Sequence, residues 1–388
     1  MLELFNSTID WFHNLLTACW LGWTWAGFKS AGEFIGTHLI SGMIPAFFIA
    51  GAIAIFMDKN RITKLMGNKA NPFVAYPVAA VSGGILTVCS CGVIPIFTSI
   101  LQQGAGVGPA FTFLMSSPAV NLIALSYTGT LLGKEFLVGR LIAVMFCSVA
   151  IGICMRLCFP DKMAELPKSK YVMVEEEPTY TDLQLLIFFL LLVFVMLSTT
   201  GLLDSYFVMA TSFIGITNEF YGRITTVIVE LIIIAIYSKT IFDKYEIQLW
   251  LKKSYQLFIM IFPKVLGGIF VCGIIADLLP LTKFLSFFEK NTIQGNLVSS
   301  VLGALMYFGT IVGVTIVKTL YDFGMNAGPS LTLLLSGPAV SLPSILALVP
   351  IVGRKKAFTF LGFVILFSAL SGFVFGLVTL YSILFTVN

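Results

Sequence analysis

From Ala70 to Gly133 the chain runs for 64 residues without a single Asp, Glu, Lys, Arg or His. A helix needs only about 20 such residues to cross the hydrocarbon core of a bilayer. The run therefore excludes a soluble fold and predicts an all-α polytopic membrane protein. Composition agrees: 58% of the 388 residues are hydrophobic and 11% are charged, against roughly 25% charged in a soluble domain. At about 20 to 25 residues per span the chain holds on the order of eight to ten membrane segments, with no room for a sizeable soluble domain. The net charge of +4 is too small and scattered to bind nucleic acid. The start lacks the basic stretch of a signal peptide, so the mature protein is expected to begin near Met1.

Residues 11–38 carry Trp11, Trp20, Trp23 and Trp25 with Lys29 and Glu33, a mix that suits an interfacial segment at headgroup level. Apolar segments follow at 39–57, 73–103, 108–132, 138–159, 183–203, 223–238, 254–280, 296–320, 328–350 and 357–384. The charged connection 160–182, with Glu175-Glu176-Glu177-Pro178, divides the chain. The expected organisation is an N-terminal interfacial segment 1–38, a first repeat 39–160, a charged linker with two connecting helices 161–253, and a second repeat 254–388.

The two repeats show when the chain is slid on itself by 220 residues. Gly104-Ala105-Gly106-Val107-Gly108-Pro109 then falls on Gly324-Met325-Asn326-Ala327-Gly328-Pro329, and Ser116-Ser117-Pro118-Ala119-Val120 falls on Ser336-Gly337-Pro338-Ala339-Val340. Internal repeats of this kind mark secondary transporters, whose substrate sites lie at the repeat interface near the midplane. Basic residues set the topology. If 73–132 and 296–350 each make one full crossing plus one re-entrant hairpin, fifteen basic residues gather on one side: Lys59, Arg61, Lys64, Lys69, Arg156, Lys162, Lys168, Lys170, Lys239, Lys244, Lys252, Lys253, Arg354, Lys355 and Lys356. Lys134, Arg140, Arg223, Lys283 and Lys290 remain on the other. This predicts two inverted repeats, eight full crossings, and a re-entrant or broken-helix hairpin in each half that lines the pathway.

The sharpest local feature is Thr87-Val88-Cys89-Ser90-Cys91-Gly92-Val93-Ile94-Pro95. Pro95 removes an amide proton and clashes with the Cys91 carbonyl, and Gly92 weakens any helix, so the helix is expected to break at the cysteines. An unwound segment lets both thiols face one solute beside the Ser90 hydroxyl. Ser116-Ser117-Pro118 with Asn121 reads as a second break, and Ser336-Gly337-Pro338 with Ser341 as its repeat mate. The predicted substrate site is thus Cys89, Ser90, Cys91, Pro95, Ser116, Ser117, Asn121, Thr310, Ser336 and Ser341, with Cys89 and Cys91 as soft-metal ligands.

A lone membrane cysteine is a packing residue more often than a ligand. The break, the repeat position and the charge-free surroundings favour function for Cys89 and Cys91, whereas Cys147, Cys154 and Cys158, near one helix face, are read as packing. The only histidines, His13 and His38, are far from the motif, which argues against a zinc enzyme. No enzyme activity and no cofactor are expected. Ionisable residues within spans are coupling candidates: Glu230, Lys264 beside the helix-breaking Pro263, and the Lys318/Asp322 pair, which reads equally as a structural ion pair.

The cysteine motif, the Gly104–Ala110 and Ser117–Asn121 stretches, Gly303-Ala304-Leu305-Met306-Tyr307-Phe308 through Gly324-Met325, and Ser336-Gly337-Pro338-Ala339-Val340-Ser341-Leu342-Pro343-Ser344 together resemble the predicted permease family that includes the organoarsenical efflux permeases. The resemblance implies a multi-pass inner-membrane permease with two repeats, in which Cys89 and Cys91 take up a thiol-seeking trivalent organoarsenical or soft metal for efflux. The stretch Thr310-Ile311-Val312-Gly313-Val314-Thr315 departs from the family pattern by lacking an acidic residue followed by proline. Thiol chemistry suits a soft solute; the alternatives are transport of a small sulfur compound and a transmembrane thiol–disulfide electron carrier. The expected partners are that solute, the lipid bilayer and a second copy of the chain in a homodimer.

Overall fold

The computed structural model describes residues 24–25, 27–32, 34–35, 43–57, 59–67, 70–86, 90–120, 122–160, 180–199, 219–278, 288–306 and 310–386. Over these the chain is helical apart from short connections, with no strand. The interfacial segment's described part is helical too, with Trp25 and Phe28 exposed. The helices are α1 (Ile44–Phe56), α2 (Lys59–Met66), α3 (Pro72–Leu86), α4 (Ser90–Gln102), α5 (Val107–Ala119), α6 (Leu122–Leu131), α7 (Lys134–Cys158), α8 (Asp182–Thr199) and α9 (Glu219–Ile241). The rest are α10 (Lys244–Leu278), α11 (Ile293–Leu305), α12 (Thr310–Asp322), α13 (Ala327–Ala339), α14 (Leu342–Val352) and α15 (Arg354–Thr386). The apolar segments 73–103 and 296–320 each hold two helices rather than one.

Four helices are long and apolar enough to cross a membrane: α7, α8, most of α10 and most of α15. Two more spans arise if α5 with α6 and α13 with α14 are each taken together, bent by 48° and 46° at their breaks. At 1.5 Å per residue α1 is only about 20 Å long, short of the roughly 30 Å hydrocarbon core.

The 220-residue repeat is written into the helix boundaries. Shifted by 220, α4 and α5 fall on α12 and α13 to the residue, and α6 and α7 begin where α14 and α15 begin. The turns coincide as well. Gly104 at φ 98° and Gly324 at φ 102° occupy the left-handed region that side chains resist. Each closes a Schellman motif: Gly104 N donates to Leu101 O and Ala105 N to Ile100 O, and Gly324 N and Met325 N repeat this on Tyr321 and Leu320.

Close contacts fix how the helices of a repeat run. A Cβ on Gly108 would meet the Tyr76 hydroxyl, one on Gly83 would meet Ser116 Oγ, and one on Gly84 would meet Val120. Residue numbers on α3 and α5 rise together, so the two helices are parallel. The chain must therefore return along α4 to reach the start of α5, which makes α3 and α4 a helical hairpin. In the second half Gly303 against Ser336 and Gly337 sets α11 beside α13 in the same way, with α12 as the return arm.

The halves meet through reciprocal contacts. Like helices pack on each other, α5 on α13 and α7 on α15, while unlike ones exchange partners, α4 with α14 and α12 with α6. Self-contacts combined with swapped contacts are the pattern a twofold axis produces. Around that axis α5 is buried at every residue and α13 from Gly328 to Ala339. Outside the repeats, α8 and α9 pack on each other, and Phe56, Phe188, Phe242 and Trp250 tie them to α1 and α10; the Phe56 and Phe242 rings stack at 4.0 Å.

Glycine lets α5 approach α7 and α13 approach α15. A Cβ on Gly152 would lie 2.0 Å from Thr112 Oγ1 and 2.7 Å from Gly108 O, and one on Gly372 would lie 1.8 Å from Thr332 Oγ1 and 2.6 Å from Gly328 O. Membrane helices associate through such small-residue contacts because lipid offers no hydrophobic drive between them. Gly152→Ala and Gly372→Ala should each lower the thermal midpoint of the purified protein, by an overpacking penalty of about 1 to 3 kcal/mol. Gly267→Ala and Gly362→Ala, with nothing within 4 Å of the added carbon, should leave it unchanged or raise it.

Candidate functional site

The predicted site residues fall on repeat mates. Ser90 opens α4 and Thr310 opens α12; Ser116 and Ser336 stand in the last turns of α5 and α13; Ser341 occupies the second bend, and its repeat mate in the sequence is Asn121. Residues 87–89, including Cys89, and Asn121 lie outside the described residues, as do the side chains of Cys91 and Thr310. The ends of the first connection are placed, however. Gly83 and Gly84 near the end of α3 pack against Ser116, Ser117 and Val120 at the α5 break, and four peptide steps from Leu86 to Ser90 span at most about 14 Å. Hairpin and break therefore meet at one level of the structure, and the buried Ser90 belongs to that level.

Helix α4 runs from Ser90 through Cys91, Gly92 and Pro95, so no break falls between Cys91 and Pro95; Cys89 lies outside the described residues. Pro95 lies early in the helix, so its missing N–H costs only the bond to the Cys91 carbonyl, one hydrogen bond that tertiary packing of a buried helix offsets. Pro263 is no break either: α10 continues through it, and Lys264 Nζ turns back to donate to Met260 O at 2.8 Å. Its ammonium is occupied on its own helix and is not delivered to a cavity.

The second break falls where its prolines point. Pro118 and Pro338 each stand one residue before the end of α5 and α13. Ser116 Oγ donates to Phe113 O at 3.2 Å, and Ser336 Oγ to Thr332 O at 3.0 Å. Beyond the bend, Ser341 caps α14: its amide donates to Ser344 Oγ at 2.8 Å, and that hydroxyl donates to Ser341 O at 2.7 Å. Ser117 is fully buried, and its hydroxyl has no hydrogen-bond partner among the described residues. The arrangement offers hydroxyls, freed carbonyls and helix termini close to the contact of α5 with α13.

The coupling candidates separate. Glu230 on α9 is buried and accepts a 2.6 Å hydrogen bond from Ser198 on α8, while its other oxygen has no partner among the described residues. Helix α9 packs on α8 and α10, away from the hairpin arms. Lys318 and Asp322 form an ion pair one turn apart near the end of α12, with side chains 34% and 56% exposed, the structural pair of the two readings. Cys147 is buried with its sulfur 3.1 Å from Ser371 Oγ, whereas Cys158 is exposed at the end of α7; these cysteines do not converge on a ligand. Among the described residues no three of His, Cys, Asp or Glu group as metal ligands.

One buried charge escapes the sequence reading. Arg140, counted above among the five basic residues of the less basic side, is fully buried in α7, with Nη1 donating to Thr128 Oγ1 at 2.8 Å on α6. Its position seven residues into an apolar helix is the signal that could have found it.

Comparison with known proteins agrees with this architecture. Residues 25–377 match the family described as predicted permease, so the chain is a membrane permease by class and belongs to that family. A UPF0718 protein of Methanocaldococcus jannaschii is 35% identical over 348 residues, covering 89% of this chain and 94% of that protein. YcgR, a UPF0718 protein of Bacillus subtilis, is 28% identical over 124 residues, 31% of this chain and 40% of its own. A Streptococcus mutans protein described as a candidate subunit of a two-component membrane permease complex is 25% identical over 117 residues, 30% of this chain and 35% of its own. No solved structure matches.

Ser344→Ala should lower stability by about 0.5 to 2 kcal/mol through loss of the cap at the bend. Neutralising the exposed pair with Lys318→Gln and Asp322→Asn should change it by less than about 1 kcal/mol. Thermal denaturation of both variants in lipid nanodiscs measures the contrast.

Proposed function

We propose that the chain moves a small thiol-reactive solute, a trivalent organoarsenical or a soft metal ion, out of the cytoplasm through the centre between two inverted repeats. The observation that carries the reading is the packing of Gly83 and Gly84, near the end of α3, against Ser116, Ser117 and Val120 at the α5 break, matched by Gly303 against Ser336 and Gly337 at the α13 break; in the sequence the Cys89-Ser90-Cys91 motif follows α3 directly. Helix interruptions at membrane depth are tolerated where they line a cavity or are buried in protein, and in transporters they hold the substrate.

Inversion follows from parity. A hairpin returns to its own side, so each repeat adds two crossings, the bent pair and the long helix after it. Between the end of α7 and the start of α11 come three helices, α8, α9 and α10; if each crosses, the second repeat enters from the opposite side. The apolar segment 39–57, of which α1 is the described part, brings the proposed total to eight. The basic residues of α2, of the ends of α7 and α9, and of the start of α15 then share the cytoplasmic side. The first hairpin dips from that side, so its cysteines are reached from the cytoplasm, and rocking of the repeats exposes them outward.

Thiolate binding to a soft centre supplies recognition, and two sulfurs without a third allow release. Cys89→Ser and Cys91→Ser should each reduce uptake of phenylarsenite into everted membrane vesicles at least about tenfold, with protein levels unchanged. Unaltered uptake in both would remove the cysteines from the path.

Glu230 is the coupling candidate, a buried carboxylate with one oxygen unoccupied. Glu230→Gln keeps an acceptor for Ser198 but cannot titrate. It should abolish acceleration by an imposed proton gradient while solute binding persists.

A small sulfur-containing anion is the second reading. The buried Arg140 favours it.

A further inference from the structure

The guanidinium of Arg140 is 0% exposed, and only one of its nitrogens is engaged. Nη1 donates to Thr128 Oγ1 at 2.8 Å and lies 3.4 Å from Ala124 O, both on α6. Nε and Nη2 have no hydrogen-bond partner among the described residues. These two atoms share one edge of the planar group. Their N–H bonds point side by side and form the fork that grips two oxygens of a carboxylate or oxyanion.

A buried guanidinium whose Nε/Nη2 edge has no partner among the described residues is expensive, because each unmet buried donor has given up water without replacement. Bilayer-depth charges that persist face the interior and mark substrate paths. Phe136, one turn before Arg140 on the same face of α7, packs against Tyr321 of α12 at 5.4 Å and Phe375 of α15 at 5.2 Å. These rings stand between Arg140 and the α6–α7 turn. Helix α6 itself packs on α12, the return arm of the second hairpin.

The repeat makes the placement specific. Shifted by 220 residues, Arg140 becomes Phe360 and Thr128 becomes Leu348, both buried. The cationic fork thus exists on one side of the twofold only, where an apolar pair stands on the other.

We propose that Arg140 binds the transported solute as an anion, its Nε/Nη2 edge taking two oxygens of a carboxylate or tetrahedral oxyanion while Thr128 anchors Nη1. This rests on the reading that the path runs between the repeats, but its test needs no transport and leaves Cys89 and Cys91 in place. A failure at the cysteines and a failure here are therefore separate results.

The full chain in lipid nanodiscs is titrated with sodium acetate, sodium sulfate or sodium chloride at constant ionic strength, and the thermal midpoint is followed. The midpoint should rise saturably with acetate or sulfate and not with chloride. A larger response to acetate assigns a carboxylate, and a larger response to sulfate assigns an oxyanion. Arg140→Lys, which keeps the charge and loses the fork, should weaken the response at least about tenfold. Arg140→Leu should abolish it. Should the Leu variant not fold, Thr128→Val, which releases the anchor, carries the test with a response weakened several-fold. A wild type indifferent to both oxygen anions, a response to chloride equal to theirs, or an undiminished response in Arg140→Lys overturns the proposal.

Discussion

A helix that stops partway through a bilayer leaves up to four carbonyls or four amides without partners, and hydrocarbon supplies none. Much that is distinctive in this fold follows from meeting that demand. The ends of α4 and α12 meet the same need within the backbone, through the Schellman closures at Gly104 and Gly324. The bends use side chains: Ser116 and Ser336 bond back to their own helices, and Ser341 and Ser344 cap one another. Because the breaks need protein around them, α5 and α13 are enclosed on all sides, and the long helices α7, α8, α10 and α15 take the lipid-facing positions.

Enclosure requires close approach, and glycine provides it at Gly108/Gly152 and Gly328/Gly372. The same contacts are met by different chemistry in the two halves. Asn296 bridges Asn291 and accepts from Thr332 Oγ1 at 2.8 Å, binding α11 to α13, whereas its repeat mate is Tyr76, whose hydroxyl fills the space over Gly108. The backbone keeps its symmetry and the side chains break it. On the proposed inverted arrangement, such departures would give the path a direction.

Much of this architecture is legible in the amino-acid sequence. The charge-free run, the apolar segments and the 220-residue repeat are properties of composition and spacing, and the helix boundaries reproduce the repeat to the residue in α4, α5, α12 and α13. Proline is the less dependable guide. Pro118 and Pro338 lie at helix ends, but Pro95 and Pro263 lie inside continuous helices, because a single lost hydrogen bond is outweighed when neighbouring helices hold the segment straight. Arg140 eludes the charge pattern for a related reason. Counted only by the side of the membrane it falls on, it fits the charge sorting, yet a charge two turns inside an apolar helix belongs to the interior once α6 offers Thr128.

The two polar features of the centre answer different needs. The Cys89-Ser90-Cys91 segment belongs to a hairpin whose α3 arm leads from the basic α2, so it is approached from the side rich in Lys and Arg. Arg140 lies past the α5–α6 bend, between it and the α6–α7 turn, on the opposite half. A solute with a thiol-reactive centre and a charged oxygen pair would meet the cysteines first and the guanidinium second, passing from a covalent-strength soft ligand to an electrostatic one. Transfer between unlike ligands of this kind lowers the barrier to release, because the second site stabilises a part of the solute that the first leaves free. On the proposed path the apolar Phe360 and Leu348 at the mirrored positions would deny the solute an equivalent foothold, so the order of contacts would follow from which repeat carries the arginine.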